Sequence, residues 1–251
     1  MSKLLEVCGL EKFYGEKQVL NGMSFVVEKG EILGFLGPNG AGKSTTIKAI
    51  TDVEPLDAGS IKFEGRETKE FLKKFKGELG IVPQEIAVYD DISAYQNVLF
   101  FCSLYGFRGK DLKARAKEAL EFVGLWEKRK ELPVKFSGGM KRRLNIACSI
   151  AHSPKLLIMD EPTVGIDPQS RNHIMNSIRK LNGRGTTVIY VSHYMEEIEA
   201  LCNKVIVADQ GKIIDQGEKE EFKKRYELRG LHTLEEIFLY LTGSELRDEE
   251  A

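Results

Sequence analysis

The feature that most constrains this chain is a glycine-rich segment at residues 37–45. It matches the phosphate-binding pattern G-x-x-x-x-G-K-[ST] without a mismatch. A short apolar run at 32–36 suits a buried strand, and residues 43–50 can form a helix with Ile47 and Ile50 on one side. This order of strand, loop and helix predicts a nucleoside triphosphate site and disfavours an ordinary glycine-rich turn. The predicted nucleotide-binding residues are Gly37, Pro38, Asn39, Gly40, Ala41, Gly42, Lys43, Ser44 and Thr45.

The residue types in this segment suit the chemistry of a triphosphate. Glycines let backbone N–H groups approach a phosphate closely, because no Cβ stands in the way. The N-terminus of the following helix adds partial positive charge and unpaired donors. Lys43 is expected to reach the β- and γ-phosphates, and the Ser44 hydroxyl to complete the shell of a Mg²⁺ ion.

Composition limits the partners and the location. The 37 lysines and arginines nearly balance the 38 aspartates and glutamates, so the electrostatic basis for nucleic-acid binding is missing and no nucleic-acid partner is expected. No stretch approaches the ~20 apolar residues that span a bilayer, and the first residues lack a signal-peptide core. The cysteines form neither a CxxC pair nor a metal-binding spacing, so reduced thiols are expected. A chain that works in the cytosol, or against the cytosolic side of something else, is predicted.

The order of apolar and polar segments predicts one domain with an insertion. Residues 4–28 predict short strands joined by turns, and the stretch from about 92 to 151 predicts helices without a convincing strand. Strands are also expected at 61–65, 79–82, 156–159 and 186–191 and in a hairpin at 204–214, with helices at 168–181 and 234–241. The simplest organisation is a single domain over 1–251, with a core at 1–91 and 152–251 and a helical insertion at about 92–151. The charged end, 245–251, is expected to fray.

Two carboxylates follow a second apolar run. Asp160 and Glu161 come directly after residues 156–159, where a strand is expected to end. Beside a bound MgATP, Asp160 would hold the metal ion and Glu161 would polarise an attacking water as a general base. The alternative is two solvated acids at a strand terminus, which the preceding apolar run disfavours.

Five ordered elements of the chain resemble the nucleotide-binding domain of ABC transporters, over about residues 4–241. They are the segment 37–45, Gln84, Ser137-Gly138-Gly139, Asp160-Glu161 and His193. The triplet at 137–139 ahead of a helix is the most specific, since ordinary P-loop kinases and GTPases lack it. The resemblance implies an α/β fold: a P-loop NTPase core with a mainly parallel sheet, an N-terminal antiparallel β subdomain and an inserted α-helical subdomain.

The resemblance also implies roles around the nucleotide. Tyr14 would stack on the adenine ring. Gln84 would touch the Mg²⁺ or the attacking water, and would lie where the transporter partner docks. His193 would hydrogen-bond the γ-phosphate and hold the water and Glu161 in place. On this basis Glu161, His193 and Gln84 are the expected catalytic residues, and Ser44, Gln84 and Asp160 the expected metal ligands.

The implied active site is split between two chains. Ser137, Gly138 and Gly139 would bind the γ-phosphate of an ATP held by a second copy or a related ATPase subunit, and Asp167 would sit at the interface between copies. A homodimer that sandwiches two ATP molecules follows, and a monomer should hydrolyse ATP poorly. The motor would drive transport by an integral membrane permease, from the cytoplasmic face of the membrane, as a peripheral subunit attached to that permease. The apolar residues 98–101 would add to its docking surface or belong to the core.

Some positions bear on the subclass. The usual Leu-Ser-Gly-Gly-Gln is replaced here by Phe136-Ser-Gly-Gly-Met140. The strings 137–144 and 234–243 resemble the export subclass that moves drugs, lipids, ions or polysaccharides, although the second could simply be an amphipathic helix that packs on its own domain. The basic run 141–143 is interpreted as a solvated face or as intramolecular ion pairs rather than an anion patch.

Two other functions remain as alternatives. A soluble ABC-type ATPase could serve ribosome rescue or DNA repair, but those relatives usually carry two ATPase units or a long coiled coil. A small-molecule P-loop kinase would give no reason for the triplet at 137–139 or for His193. The sequence does not name the cargo, because the permease selects it.

Overall fold

The computed structural model describes residues 2–243, which divide into two units. The first unit comprises residues 2–76 and 187–243 of this range, and the second comprises 77–186. These units are not the expected division into a core and an insertion at about 92–151, which stays a prediction. The charged end at 245–251 lies outside the described residues.

The helices and strands follow each other in an order typical of an α/β protein. The first segment contains β1 (Lys3–Tyr14), β2 (Lys17–Glu28), β3 (Ile32–Leu36), α1 (Lys43–Ile50), β4 (Ala58–Phe63), β5 (Arg66–Glu67) and α2 (Leu72–Gly77). The second unit contains β6 (Leu79–Val82), α3 (Ala94–Leu104), α4 (Gly109–Phe122), α5 (Gly138–Ile150), β7 (Leu156–Asp160) and α6 (Pro168–Gly183). The first unit then resumes with β8 (Thr187–Val191), α7 (Met195–Leu201), β9 (Lys204–Asp209), β10 (Lys212–Glu218), α8 (Lys219–Glu227) and α9 (Leu234–Thr242).

An antiparallel sheet with strand order β2-β1-β4-β5 lies in the first unit. The short strands expected at 4–28 are instead two strands of 12 residues each, β1 and β2, joined by a tight hairpin in which Tyr14 pairs with Lys17. The register of β1 is irregular at several points, one of them between Val7 and Leu10, where Gly9 has φ +56°. Such irregularities bend the strand and increase its twist.

The first unit also contains four neighbouring strands in the order β10-β9-β3-β8. β3 pairs in parallel with both β8 and β9, and β10 pairs antiparallel with β9. All five residues of β3 and of β8 are buried, as expected for central strands of a parallel sheet. Because β3 and β8 are parallel, the loop after β3 and the Ser192-His193 turn after β8 leave the same edge of the sheet.

The second unit combines two parallel strands with helices. β6 pairs with β7, so that Leu79 lies opposite Leu156 and Val82 opposite Met159. Gln84 and Glu161 therefore follow neighbouring strand ends. α3, α4 and α5 confirm the helical character expected for 92–151, and no strand is described between those residues. The expected α/β class, with an antiparallel N-terminal sheet and mainly parallel strands elsewhere, is confirmed.

The last described helix, α9, has a clear start. Thr233 accepts a hydrogen bond from the backbone N–H of Glu236, whose carboxylate accepts from the N–H of Thr233, which forms a capping box. Leu234 and Ile237 are buried, and α9 contacts α7 and α8, so this amphipathic helix packs on its own unit. Each helix described among residues 2–243 is too short or too polar to span a bilayer.

Candidate functional site

The phosphate cradle predicted at 37–45 is a loop between β3 and α1 in the first unit. The ammonium of Lys43 donates to the carbonyl oxygens of Gly37 at 2.6 Å and Pro38 at 2.9 Å, and the residue is only 8% exposed. The first turn of α1 closes on the loop, because the backbone N–H of Thr46 donates to the carbonyl of Gly42 at 2.8 Å. Bonds within the loop and to the first turn of α1 therefore hold part of the cradle in place.

Two glycines of the cradle lie so close to neighbouring segments of the chain that a side chain would not fit, quite apart from the access that a phosphate needs. Gly42 has φ +94°, and a Cβ there would lie 2.8 Å from Leu20 Cδ2 and 3.0 Å from the carbonyl oxygen of Val19. A Cβ on Gly37 would lie 2.7 Å from the carbonyl oxygen of Ala208. Any larger residue would push the loop away from these segments. The sequence pattern predicted these glycines as phosphate-binding residues, but it did not indicate that packing against other segments also requires glycine.

The turn that carries His193 is anchored by a buried carboxylate. Glu197 is 2% exposed and accepts hydrogen bonds from the hydroxyls of Tyr190 at 2.7 Å and Ser192 at 3.0 Å. The Ser192 oxygen in turn accepts from the backbone N–H of Tyr194 at 3.0 Å. The residues on both sides of His193 are thus held in place. Sequence reasoning missed Glu197; a glutamate in the first turn of α7 gives no local sign that it is buried.

Tyr14, the residue predicted to stack on adenine, ends β1 in the first unit. The residue is 43% exposed, and the ammonium of Lys12 lies 5.4 Å from the ring centroid. A half-exposed aromatic ring at a strand end can offer a face to a planar base.

In the second unit the structure brings together Gln84 and Glu161. Gln84 Nε2 donates to Glu161 Oε2 at 3.2 Å, although the two residues are 77 positions apart. Asp160 is the last residue of β7, and Glu161 follows it with a positive φ of +45°. A non-glycine residue in this region of φ is uncommon, and such residues cluster at functional sites.

The triplet at 137–139 begins α5. Ser137 is the N-cap residue, and its hydroxyl oxygen accepts from the backbone N–H of Met140 at 3.3 Å. Ser137 and Gly138 are exposed, whereas Gly139 is buried. A Cβ on Gly139 would lie 2.2 Å from Ser170 Oγ and 3.2 Å from Asp167 Oδ2, so only glycine fits here.

Asp167 is predicted to lie at an interface between copies. In the structure it is the N-cap residue of α6. Its carboxylate accepts from the backbone N–H of Ser170 at 2.9 Å. The hydrogen bonds from Ser170 hold the pKa of Asp167 below its usual range. The N-termini of α5 and α6 therefore pack against each other at Gly139. This contact places the N-cap residues Ser137 and Asp167 in the same small region.

The side chains of the basic run 141–143 make contacts within their own unit. Lys141 forms the expected intramolecular ion pair, with Asp90 at 2.8 Å. Arg143 donates to the carbonyl of Val123 at 2.9 Å. A solvated face is wrong for Arg142, which is 3% exposed, and burial lowers the pKa of its guanidinium. The lysine and arginine pattern alone could not reveal that the middle residue points inwards.

Comparisons with known proteins give the family. A model of the protein family described as ABC transporter matches residues 20–164. The linearmycin resistance ATP-binding protein LnrL of Bacillus subtilis is 50% identical over 222 residues, which are 88% of this chain and 71% of that protein. The Nod factor export ATP-binding protein I of Ralstonia nicotianae is 39% identical over 219 residues, covering 87% of this chain and 68% of that protein.

Solved structures give the same result. A structure of the ATP-binding subunit of an ABC transporter superposes with a TM-score of 0.85 at 27% identity, covering 95% of this chain and 99% of the other. A dimeric ATP-binding cassette in a post-hydrolysis state, bound to ADP and Pi, shares the fold with a TM-score of 0.77 at 24% identity, covering 86% of this chain and 98% of that one. With the phosphate cradle and the ordered motifs described above, these matches establish that the chain belongs to the ABC transporter family, as an ATP-binding subunit that hydrolyses ATP.

Proposed function

We propose that the chain is the motor of an exporter: it closes with a second copy, or with a related subunit, around two ATP molecules and drives a separate membrane permease. The contact between Gln84 and Glu161 carries this proposal, since it joins the expected general base to the residue expected to sense both nucleotide and permease. The relatives named for linearmycin resistance and for Nod factor export favour the export direction.

The side chains offer a consistent set of groups for MgATP. Lys43 would neutralise the β- and γ-phosphates, His193 would hydrogen-bond the γ-phosphate, and Tyr14 would stack on adenine. Glu161 would accept the proton of the attacking water. In support, hydrogen bonds hold Lys43 and Glu161 within their own units, and a further bond holds the residues on either side of His193.

The donor set fits Mg²⁺, which prefers oxygen ligands and keeps several waters. The Ser44 hydroxyl, the Asp160 carboxylate and the Gln84 amide oxygen would hold the ion. Gln84 uses its nitrogen to contact Glu161, which leaves its oxygen to face a cation or a water. When bound, the ion would neutralise charge that develops on the phosphates.

The start of α5 would complete the site of a second copy. The Ser137 hydroxyl accepts from Met140 and can still donate its own hydrogen, and the first N–H groups of a helix lack intrahelical partners. Those donors and the helix dipole suit a terminal phosphate. Ser137 and Gly138 are exposed, as this role requires, and the caps at Ser137 and Asp167 would lie together at the dimer interface.

A Glu161→Gln variant tests this dimer. Removal of the general base should lower turnover by about 100-fold or more and keep ATP binding, so that ATP holds two copies together. Size-exclusion chromatography with light scattering should show a monomer without ATP and a dimer with ATP. The double variant Glu161→Gln/Ser137→Arg is the matched control, and it should stay monomeric because the arginine blocks the start of α5. The proposal is wrong if Glu161→Gln stays monomeric at saturating ATP, or if the wild type is highly active independently of its concentration.

The permease would dock on an aromatic cluster that follows Gln84, formed by Tyr89, Phe100 and Phe101. Tyr89 and Phe100 are 48% and 40% exposed, and their ring centroids are 5.3 Å apart. Exposed aromatic groups of this kind are typical of interaction surfaces. Val98, predicted with these residues, is fully buried and belongs to the core. This docking would place the chain at the cytoplasmic face of the membrane as a peripheral subunit.

A Tyr89→Asp variant tests the docking surface. The added charge should abolish co-purification of the polytopic permease in mild detergent, and it should leave ATP affinity within about twofold, because a surface change has little effect elsewhere. Leu228→Asp is the control, since Leu228 is 93% exposed in the first unit. Retention of the permease by Tyr89→Asp would contradict the assignment. If no membrane protein follows the wild type, a soluble ABC-type ATPase with a task other than transport becomes the better interpretation.

A further inference from the structure

Arg142 joins two parts of the second unit that the proposed mechanism treats separately. It lies on α5, whose N-cap is Ser137, and its side chain is buried. Its two terminal nitrogens donate to the backbone carbonyls of Pro83 at 2.6 Å and of Gln84 at 2.5 Å. One side chain therefore links the helix that begins at Ser137 to the main chain of Gln84.

Two other residues attach α5 to the same stretch of chain, at different points. The Ser149 hydroxyl donates to the carbonyl of Ile81 in β6 at 2.6 Å, and Lys141 pairs with Asp90 beyond the loop. The ion pair is partly exposed, and such pairs contribute little to stability. Ser149 holds the strand, whereas Arg142 holds the loop at Gln84 itself.

The chemistry of Arg142 favours a geometric purpose over a stabilising one. A guanidinium is costly to bury, and neutral carbonyls compensate less than a carboxylate would. The Nε atom of Arg142 is buried and has no hydrogen-bond partner among residues 2–243. The planar fork of an arginine, unlike a lysine, can hold two successive carbonyls in a set orientation.

We propose that Arg142 is a positioning residue for ATP hydrolysis. It sets the backbone of Gln84 so that the amide of Gln84 meets Glu161, and it makes this pair and the Ser137 start of α5 move as one body. A displacement of the Gln84–Glu161 pair is then transmitted to the start of α5, and a displacement of the start of α5 is transmitted to the pair. This inference rests on the proposed function, because it assumes that Gln84 and Glu161 act on the nucleotide and that Ser137 binds the ATP of a second copy.

The first test compares Arg142→Lys with Ser149→Ala. Lysine keeps the charge and loses the paired contacts, so kcat should fall about tenfold while the KM for ATP stays within about twofold. Ser149→Ala removes a buried hydrogen bond from the same helix and should lower the melting temperature while kcat stays at the wild-type value. A wild-type kcat for Arg142→Lys would overturn the proposal, as would an equal loss of kcat in both variants.

A double-mutant cycle tests whether Arg142 acts through Gln84. Gln84→Ala alone should lower kcat, and adding Arg142→Lys should lower it no further, since the side chain that Arg142 positions is already gone. Losses that multiply in the double variant would overturn the proposal. A wild-type chain without turnover would instead contradict the proposed function, so the two failures can be told apart.

Hydrogen exchange gives a test that needs no change at residue 142. In Glu161→Gln, ATP should slow hydrogen exchange at the start of α5. It should also slow exchange of the backbone amides that follow Gln84. Slower exchange at only one of the two segments would overturn the proposal. This measurement decides the question if Arg142→Lys does not fold.

Discussion

The two halves of the expected catalytic machinery are built in different ways. In the first unit the hydrogen bonds of the cradle lysine are local, because Lys43 donates to carbonyls five and six positions before it. In the second unit the contacts are long-range, because Gln84 and Glu161 are 77 positions apart and Arg142 and Gln84 are 58 apart. A local cradle leaves a complete pattern in the sequence, whereas a long-range contact leaves isolated residues that only the fold brings together.

The difference also decides where each half is vulnerable. The cradle depends on glycines that let a short loop turn and pack, so a single methyl group there should damage nucleotide binding directly. The second unit depends on two helix starts that meet at Gly139 and on side chains that reach a loop. Damage there should appear first as a loss of stability or of turnover.

The largest effect is expected from Gly42→Ala in the cradle. Gly42 has φ +94° and lacks room for a Cβ, so alanine should strain the loop and weaken ATP binding by about 100-fold. Gly40→Ala is the matched variant, since Gly40 has φ +74° and a Cβ there would have no atom of the described residues within 4 Å. It should weaken binding by about tenfold or less. Titration with a fluorescent ATP analogue measures both, and equal losses would show that packing against Leu20 and Val19 is unimportant.

A smaller effect is expected from Gly139→Ala in the second unit. The methyl group would collide with Ser170 at the start of α6, which should lower the free energy of unfolding by about 2 kcal/mol. Gly138→Ala has open space around its Cβ and should change the free energy of unfolding by about 0.5 kcal/mol or less. Urea unfolding at neutral pH measures the difference. Equal stability of the two variants would mean that the two helix starts do not constrain each other.

The sequence by itself determined the elements whose geometry is local. The helix predicted at 43–50 and the strands predicted at 32–36 and 79–82 have those bounds in the structure, and the hairpin at 204–214 is confirmed as β9 and β10. Glycine spacing, an apolar run and a turn each act over a few residues, so their pattern is complete in a short window. The family followed from the order of such patterns.

Only the tertiary structure decided which side chains are buried and what they hold. It made one antiparallel hairpin of the short strands expected at 4–28, and it placed Arg142 and Glu197 inside their units. It also showed that Gly139 is needed for packing against Ser170. A charged residue has the same local pattern whether it faces water or a distant carbonyl, because burial depends on chain segments that lie far away in the sequence.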